Sequence, residues 1–308
     1  MPLMALMMTA CMTELTDELP QPAGNGLAQE GRVALGLTAT VVSQEDNTAS
    51  AATRAGVDVQ STQLPNGATF RAEFSGSDVT ETTATYTADG TGGATASPQP
   101  YFTLTGTSTT VSAYHGKSGG TGGTQVTGAT TSFTVASDQT GDAAYQASDL
   151  MYATANVTKA APTAALTFTH RMAKIIVEVT GVTGDAITKI TDVRIIGGSR
   201  TINVTNTTTC TLGSTLDDAN STSSYVTMYT GGTGKAAFTC AALIPPQTIN
   251  GPFLLVKTDV GDITYSLTNK TFDSGKSYTY SMAISYDVTG ELTATLTSPG
   301  DVNSSTWQ

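Results

Sequence analysis

Catalysis or metal binding needs histidine, cysteine or paired carboxylates at workable spacing, and this chain offers few. It has 308 residues, with two histidines and three cysteines. His115 lies in a Gly-rich region. His170 shares one face of an alternating segment with Leu166, Phe168 and Met172, and reads as a satisfied core histidine rather than a ligand. The two are far apart in sequence and context. They give no Ser-His-Asp signature, and the chain holds no HExxH. The carboxylates are scattered, with no pair at a spacing that specifies a site. Gly231–Lys235 (GGTGK) imitates a phosphate loop, but Tyr229 stands where the first Gly is needed and Ala236 where Ser or Thr is needed. No catalytic residue, metal ligand set or cofactor is expected, and the chain reads as a non-enzyme.

Processing chemistry is better represented. Met1–Ala10 is apolar and ends in Met8-Thr9-Ala10-Cys11. Small residues before a Cys, after an apolar run, look like a bacterial lipoprotein signal, here a short one with no Lys or Arg ahead of it. Residues 1–10 would be removed and Cys11 would carry the lipid, a firm membrane anchor when multiply acylated. Residues 11–32 are polar, acidic and rich in Pro and Gly, and read as a tether. Arg32 and Arg54 are the only basic residues before Arg71. A protease specific for Arg, cutting between Arg54 and Ala55, would remove anchor, tether and all that lies between. The plainer reading of Arg54 is an ordinary solvated charge. Cys210 and Cys240 either pair outside the cytoplasm, adding roughly 2–4 kcal/mol, or remain two buried thiols.

Between those two arginines sits a well-made strand. Val33, Leu35, Leu37, Ala39 and Val41 fall at every second position of residues 33–42, with small or polar residues between them. That period marks a strand with one buried face. Ser43–Thr53 has nothing to bury. The strand is thus expected to be removable: it fills a groove until a cut near Arg54 frees it, and a neighbour's strand then replaces it.

Composition supports an all-β chain. Charged residues are 13%, about half the usual ~25%, and Thr, Ser, Gly and Ala take their place. The length suits one large or two ordinary domains. A net charge of −11 excludes nucleic acid as a partner. No apolar run reaches the ~18 residues of a spanning helix. Strands are expected at Ala68–Phe74, Ala84–Thr87, Tyr101–Leu104, Ser132–Val135 and Asp149–Val157. The Gly-Thr tracts Gly90–Ala96 and Gly116–Gly128 read as hairpin loops or tip decoration. Ala160–Ala165 is a natural boundary, after which Leu166–Val179 is expected to begin a new core. Further strands follow to Leu292, Ala294 and Leu296, which alternate with Thr in the last one. That strand is the candidate donor. Trp307 either packs on its own domain or extends the donor.

An ordered set of segments carries a resemblance. Asp149–Ala153 (DLMYA), Phe168–Val179 (FTHRMAKIIVEV), Ala241–Ile249 (AALIPPQTI) and Phe272–Ile284 (FDSGKSYTYSMAI), before a closing strand, resemble the fimbrillin-like proteins, the type V pilins of Bacteroidota. The resemblance implies two transthyretin-like β-sandwich domains in tandem, here 33–158 and 159–308. It also implies export as an outer-membrane lipoprotein, cleavage by an Arg-specific protease where Arg54-Ala55 stands, and head-to-tail assembly with other pilin subunits into a fimbria by donor-strand exchange. Shaft, tip and anchor positions stay open, as does any host or bacterial surface ligand. The competing expectation is a surface carbohydrate-binding or adhesin lipoprotein that is never cut and does not polymerise.

Overall fold

The computed structural model describes residues 32–42, 62–184, 187–206, 210–217, 225–231, 237–286, 291–296 and 305–306. Cys11, Arg54, Ala55 and Trp307 lie outside them, as do residues 43–53. The regular secondary structure of the described residues is strand apart from one short helix. In chain order they form β1 (Gly36–Val41), β2 (Thr69–Phe74), β3 (Thr83–Ala88), β4 (Gly93–Ser97) and β5 (Ser108–His115). Short pieces follow: β6 (Lys117–Ser118), β7 (Thr124–Gln125), β8 (Ser132–Thr134) and one helix, α1 (Asp142–Ser148). Then come β9 (Met151–Thr158), β10 (Thr163–His170), β11 (Ala173–Thr183), β12 (Ile190–Ile195), β13 (Thr201–Asn206) and β14 (Thr211–Asp217). The last are β15 (Val226–Thr230), β16 (Phe238–Ile244), β17 (Gln247–Thr258), β18 (Asp262–Phe272), β19 (Lys276–Tyr286), β20 (Leu292–Leu296) and β21 (Ser305–Thr306).

Seven of these close on themselves as a barrel in the order β1-β10-β9-β5-β2-β3-β4. Closure leaves no free sheet edge, and every inward residue joins one core. Phe70, Tyr86, Phe102 and Phe168 fill that core, with Phe70 stacked on Tyr86 at 5.2 Å and meeting Phe168 edge-on at 5.3 Å. A second core lies between the sheets β16-β11-β19-β20 and β15-β12-β17-β18. Strand β5 serves both: Val111 and Ala113 face the barrel core, while Tyr114 belongs to the second. The period of two turns alternate side chains to opposite faces, and here both faces are covered.

Four expectations change. Leu166 and Phe168 do not begin a new core; they sit on β10, which pairs with β1 and β9 and closes the barrel. Gly90–Ala96 is not only a loop: β4 occupies Gly93–Ser97 and pairs with β3 and β1. Tyr101–Leu104 is not a strand but two isolated bridges at Tyr101 and Phe102, and Leu104 stands exposed. Residues 201–217, where no strand was expected, supply β13 and β14, which join β8 in a three-stranded sheet. Cys210 and Cys240 are buried thiols with no disulfide between them. They belong to separate sheets, since Cys240 lies within β16 and Cys210 between β13 and β14. Burial raises the Cys210 thiol to about 11, so it is a poor nucleophile.

Candidate functional site

The site that the fold builds most deliberately is the slot holding β1. Leu35, Leu37, Ala39 and Val41 are 0–4% exposed, and Val33 is half-buried against the same core. On one side β1 runs parallel to β10 over six paired positions, Gly36 opposite Thr163 through Val41 opposite Phe168. On the other side only Leu37 and Thr38 pair with β4. Backbone bonds extend the seat. Ala39 N donates to Gly92 O at 2.8 Å, Val41 N to Thr62 O at 2.9 Å, and Phe102 N to Val33 O at 2.8 Å. Gly92 adopts φ +99°, a conformation that favours glycine, and this turn presents its carbonyl to β1.

Side chains complete the seat. The Leu35 carbonyl accepts from Gln99 Nε2 at 2.8 Å and from the Tyr86 phenolic hydroxyl at 3.4 Å. Thr38 and Thr40 hydroxyls donate to Ala164 O and Leu166 O at 3.5 and 3.3 Å. Burial alone raises the Tyr86 phenol well above its usual range. Gly36 marks a close approach, because a Cβ there would stand 3.1 Å from Thr163 Oγ1. The expected buried face of the strand is therefore the one the barrel encloses, and β1 is seated between two neighbours rather than laid on an edge.

The candidate donor is seated differently. β20 pairs antiparallel with Met282–Tyr286 of β19 and ends its sheet. Leu292 and Ala294 are half-buried against the second core, and Thr293 and Thr295 are exposed. One backbone partner and shallow packing make this the less firmly held of the two strands.

The fold also brings together what sequence distance concealed. His115 and His170 both stand opposite Met151, one across β5–β9 and the other across β9–β10. His170 Nδ1 and Asp149 Oδ1 are 2.9 Å apart, with both side chains fully buried. Nδ1 of His115 faces Thr69 O at 2.9 Å and Nε2 faces Gln146 O at 3.2 Å. A sealed His–Asp pair cannot reach a substrate. It fastens the end of β10 to the junction of α1 and β9. Among the described residues no three of His, Cys, Asp and Glu gather as a metal site.

Burial holds His115 below its ordinary value, against the pull of Asp149 and the two carbonyls. The unfolded chain therefore takes up the proton first as pH falls. Stability contributed by His115 is complete above about pH 6.5 and declines below it. We expect urea midpoints to drop between pH 7.5 and 5.5, and His115→Gln to flatten that drop. An unchanged slope in the variant would assign the effect elsewhere.

A family model described as Fimbrillin-like matches residues 37–298. No curated protein matches the chain. Solved structures share the fold. A candidate cell adhesion protein from Bacteroides uniformis is 18% identical with a TM-score of 0.58, covering 92% of this chain and 100% of that one. A second, from Bacteroides ovatus, is 16% identical with a TM-score of 0.57, over 87% and 96%. A third, from Bacteroides fragilis, is 14% identical with a TM-score of 0.51, over 88% and 99%. The matched span includes β1 from Leu37 and all of β20.

Proposed function

The chain belongs to the fimbrillin-like family, which makes it a pilus or adhesion-type subunit of the cell surface, and from that premise we propose that it is a structural subunit of a fimbria. In this reading it is exported as a lipoprotein on Cys11 and held at the outer membrane. An Arg-specific protease then cuts between Arg54 and Ala55. The cut releases β1, and a strand of another subunit takes its place by donor-strand exchange. The C-terminal strand with Leu292, Ala294 and Leu296 is the donor.

One observation carries the reading: β1 is a fully inserted core strand whose continuation to Thr62 holds a single basic residue, Arg54. Removing it would uncover the inward faces of β10 and β4 and strand their backbone groups. Three large buried aliphatics, Leu35, Leu37 and Val41, at ~1.5–3 kcal/mol each, give roughly 5–9 kcal/mol before ordering costs. Backbone bonds add about 1 kcal/mol each. An open slot of this depth favours strand addition. While β1 occupies it, assembly waits.

The test is the mature surface protein. N-terminal sequencing is expected to begin at Ala55, with an SDS-resistant ladder on gels. Arg54→Ala is expected to leave a full-length lipoprotein and no ladder. A ladder from that variant would remove Arg54 from the mechanism, and an uncut wild-type chain would favour a non-polymerising adhesin.

A further inference from the structure

Leu-Thr-Ala-Thr occurs twice in the chain, at Leu37–Thr40 in β1 and at Leu292–Thr295 in β20. Each copy is followed by an aliphatic residue, Val41 or Leu296. The strand that closes the slot and the candidate to replace it thus carry nearly the same sequence. Resting on the pilus reading above, we infer that the occupant of the opened slot is β20 of a second copy of this chain, in one register: Leu292 at the site of Leu37, Ala294 at Ala39 and Leu296 at Val41.

The register follows from side-chain size. The slot takes large, small, large at positions 37, 39 and 41, all buried. Shifting β20 by two residues in either direction places a leucine, Leu296 or Leu292, on the site of Ala39. Overpacking a closed core in this way is unfavourable. Shifting by one turns the threonines inward and the leucines out. Only the proposed register keeps Thr293 and Thr295 where Thr38 and Thr40 reach the carbonyls of Ala164 and Leu166. It also fixes direction: the donor runs parallel to β10, as β1 does. Glu291 then takes the place of Gly36 and presses toward Thr163 Oγ1, which a side-chain rotation can relieve. Gly290 takes the place of Leu35, so that end of the slot is filled less fully than by β1.

Seating gives the exchange its drive. In its own sheet β20 has one strand neighbour, and Leu292 and Ala294 are half-buried. In the slot it would have two neighbours and full enclosure. The donor lies at the end of one subunit and the slot in the barrel of the next, so the contact does not close and extends into a filament. A chain that fits its own slot assembles as repeated copies of itself, the property of a shaft subunit.

Paired cysteines read the register. Thr38 stands opposite Ala165, which is exposed, so Thr293 of the donor would stand there in the fibre. The full chain carrying Ala165→Cys and Thr293→Cys is treated with an Arg-specific protease, allowed to assemble and oxidised. We expect an intermolecular disulfide ladder at least ten-fold stronger than from Ala165→Cys with Thr295→Cys, which sits two residues out of register. Fibres that form normally but link through neither pair, or better through Thr295→Cys, overturn the self-donor register while leaving strand exchange standing. A disulfide within single chains overturns it as well. Absence of fibres from the cut wild-type chain removes both this inference and the pilus reading.

Discussion

Asp149→Ala is expected to cost the fold about 3 kcal/mol, where the penalties for orphaning a buried hydrogen-bond partner and for breaking a buried pair overlap. For a chain of 308 residues, at roughly 2.1 cal/mol/K of unfolding entropy per residue, that lowers the melting temperature by about 5 °C. The argument starts from solvent exclusion. Neither Asp149 nor His170 has any exposed side-chain surface, and their contact is 2.9 Å. Water cannot replace the lost carboxylate, so His170 Nδ1 keeps its desolvation cost without its partner. Asp149→Asn retains an acceptor oxygen and is expected to lose markedly less. The damage falls on β10, whose last residue is His170 and which is the principal neighbour of β1. Calorimetry on both variants decides the matter. A melting temperature for Asp149→Ala within about 2 °C of wild type would show that the pair does not hold this end of the barrel.

The strand that matters most was legible, and its surroundings were not. Leu35, Leu37, Ala39 and Val41 announce their common face by period alone, because one side of β1 is core and the other is not. Strand β4 gives no such sign. Gly93-Ala94-Thr95-Ala96-Ser97 has no large side chain to bury, and it is a strand because β1 and β3 need backbone partners. In β10 the alternation of Leu166 and Phe168 was plain, but period cannot say which of two cores a strand faces. Helix α1 has seven residues, two turns, too short to establish a helical period against its neighbours. Residues 201–217 were hidden by their Thr and Asn content, which suits strand edges and turns alike. The meeting of His115, Asp149 and His170 is a product of sheet register: β9 lies between β5 and β10, and Met151 brings both histidines to one row. No linear spacing encodes that. Residues 33–42, by contrast, needed only their own sequence to be recognised as core.

The seat of β1 and the seat of β20 together make a directional argument. A subunit that displayed an open slot during export would bind any strand of suitable pattern, including its own tail. In the proposed exchange, occupying the slot with a strand of matching sequence removes that hazard until the occupant is cut away. The same match ensures that the replacement finds sites already shaped for it. On that proposal specificity lies in Ala39, the small residue of the series, since its site would reject every register that offers a leucine there.

Leu37→Ala and Phe168→Ala are expected to separate the precursor from the fibre. Leu37 is 2% exposed within the barrel core and Phe168 is fully buried in its wall, edge-on to Phe70. In the uncut chain both truncations leave cavities, costing about 2–5 kcal/mol for leucine and 3–5 kcal/mol for phenylalanine. Urea denaturation of the Arg54→Ala precursor carrying either change should show both losses. In the assembled fibre the two part company. If β1 is exchanged as proposed, Leu37 has left with it, so Leu37→Ala should not alter the temperature at which the SDS-resistant ladder collapses. Phe168 stays in the slot and packs on the incoming strand, so Phe168→Ala should lower that temperature clearly. If Leu37→Ala weakens the fibre as much as Phe168→Ala does, β1 is still in its seat after assembly, and subunits must be joined by some other contact.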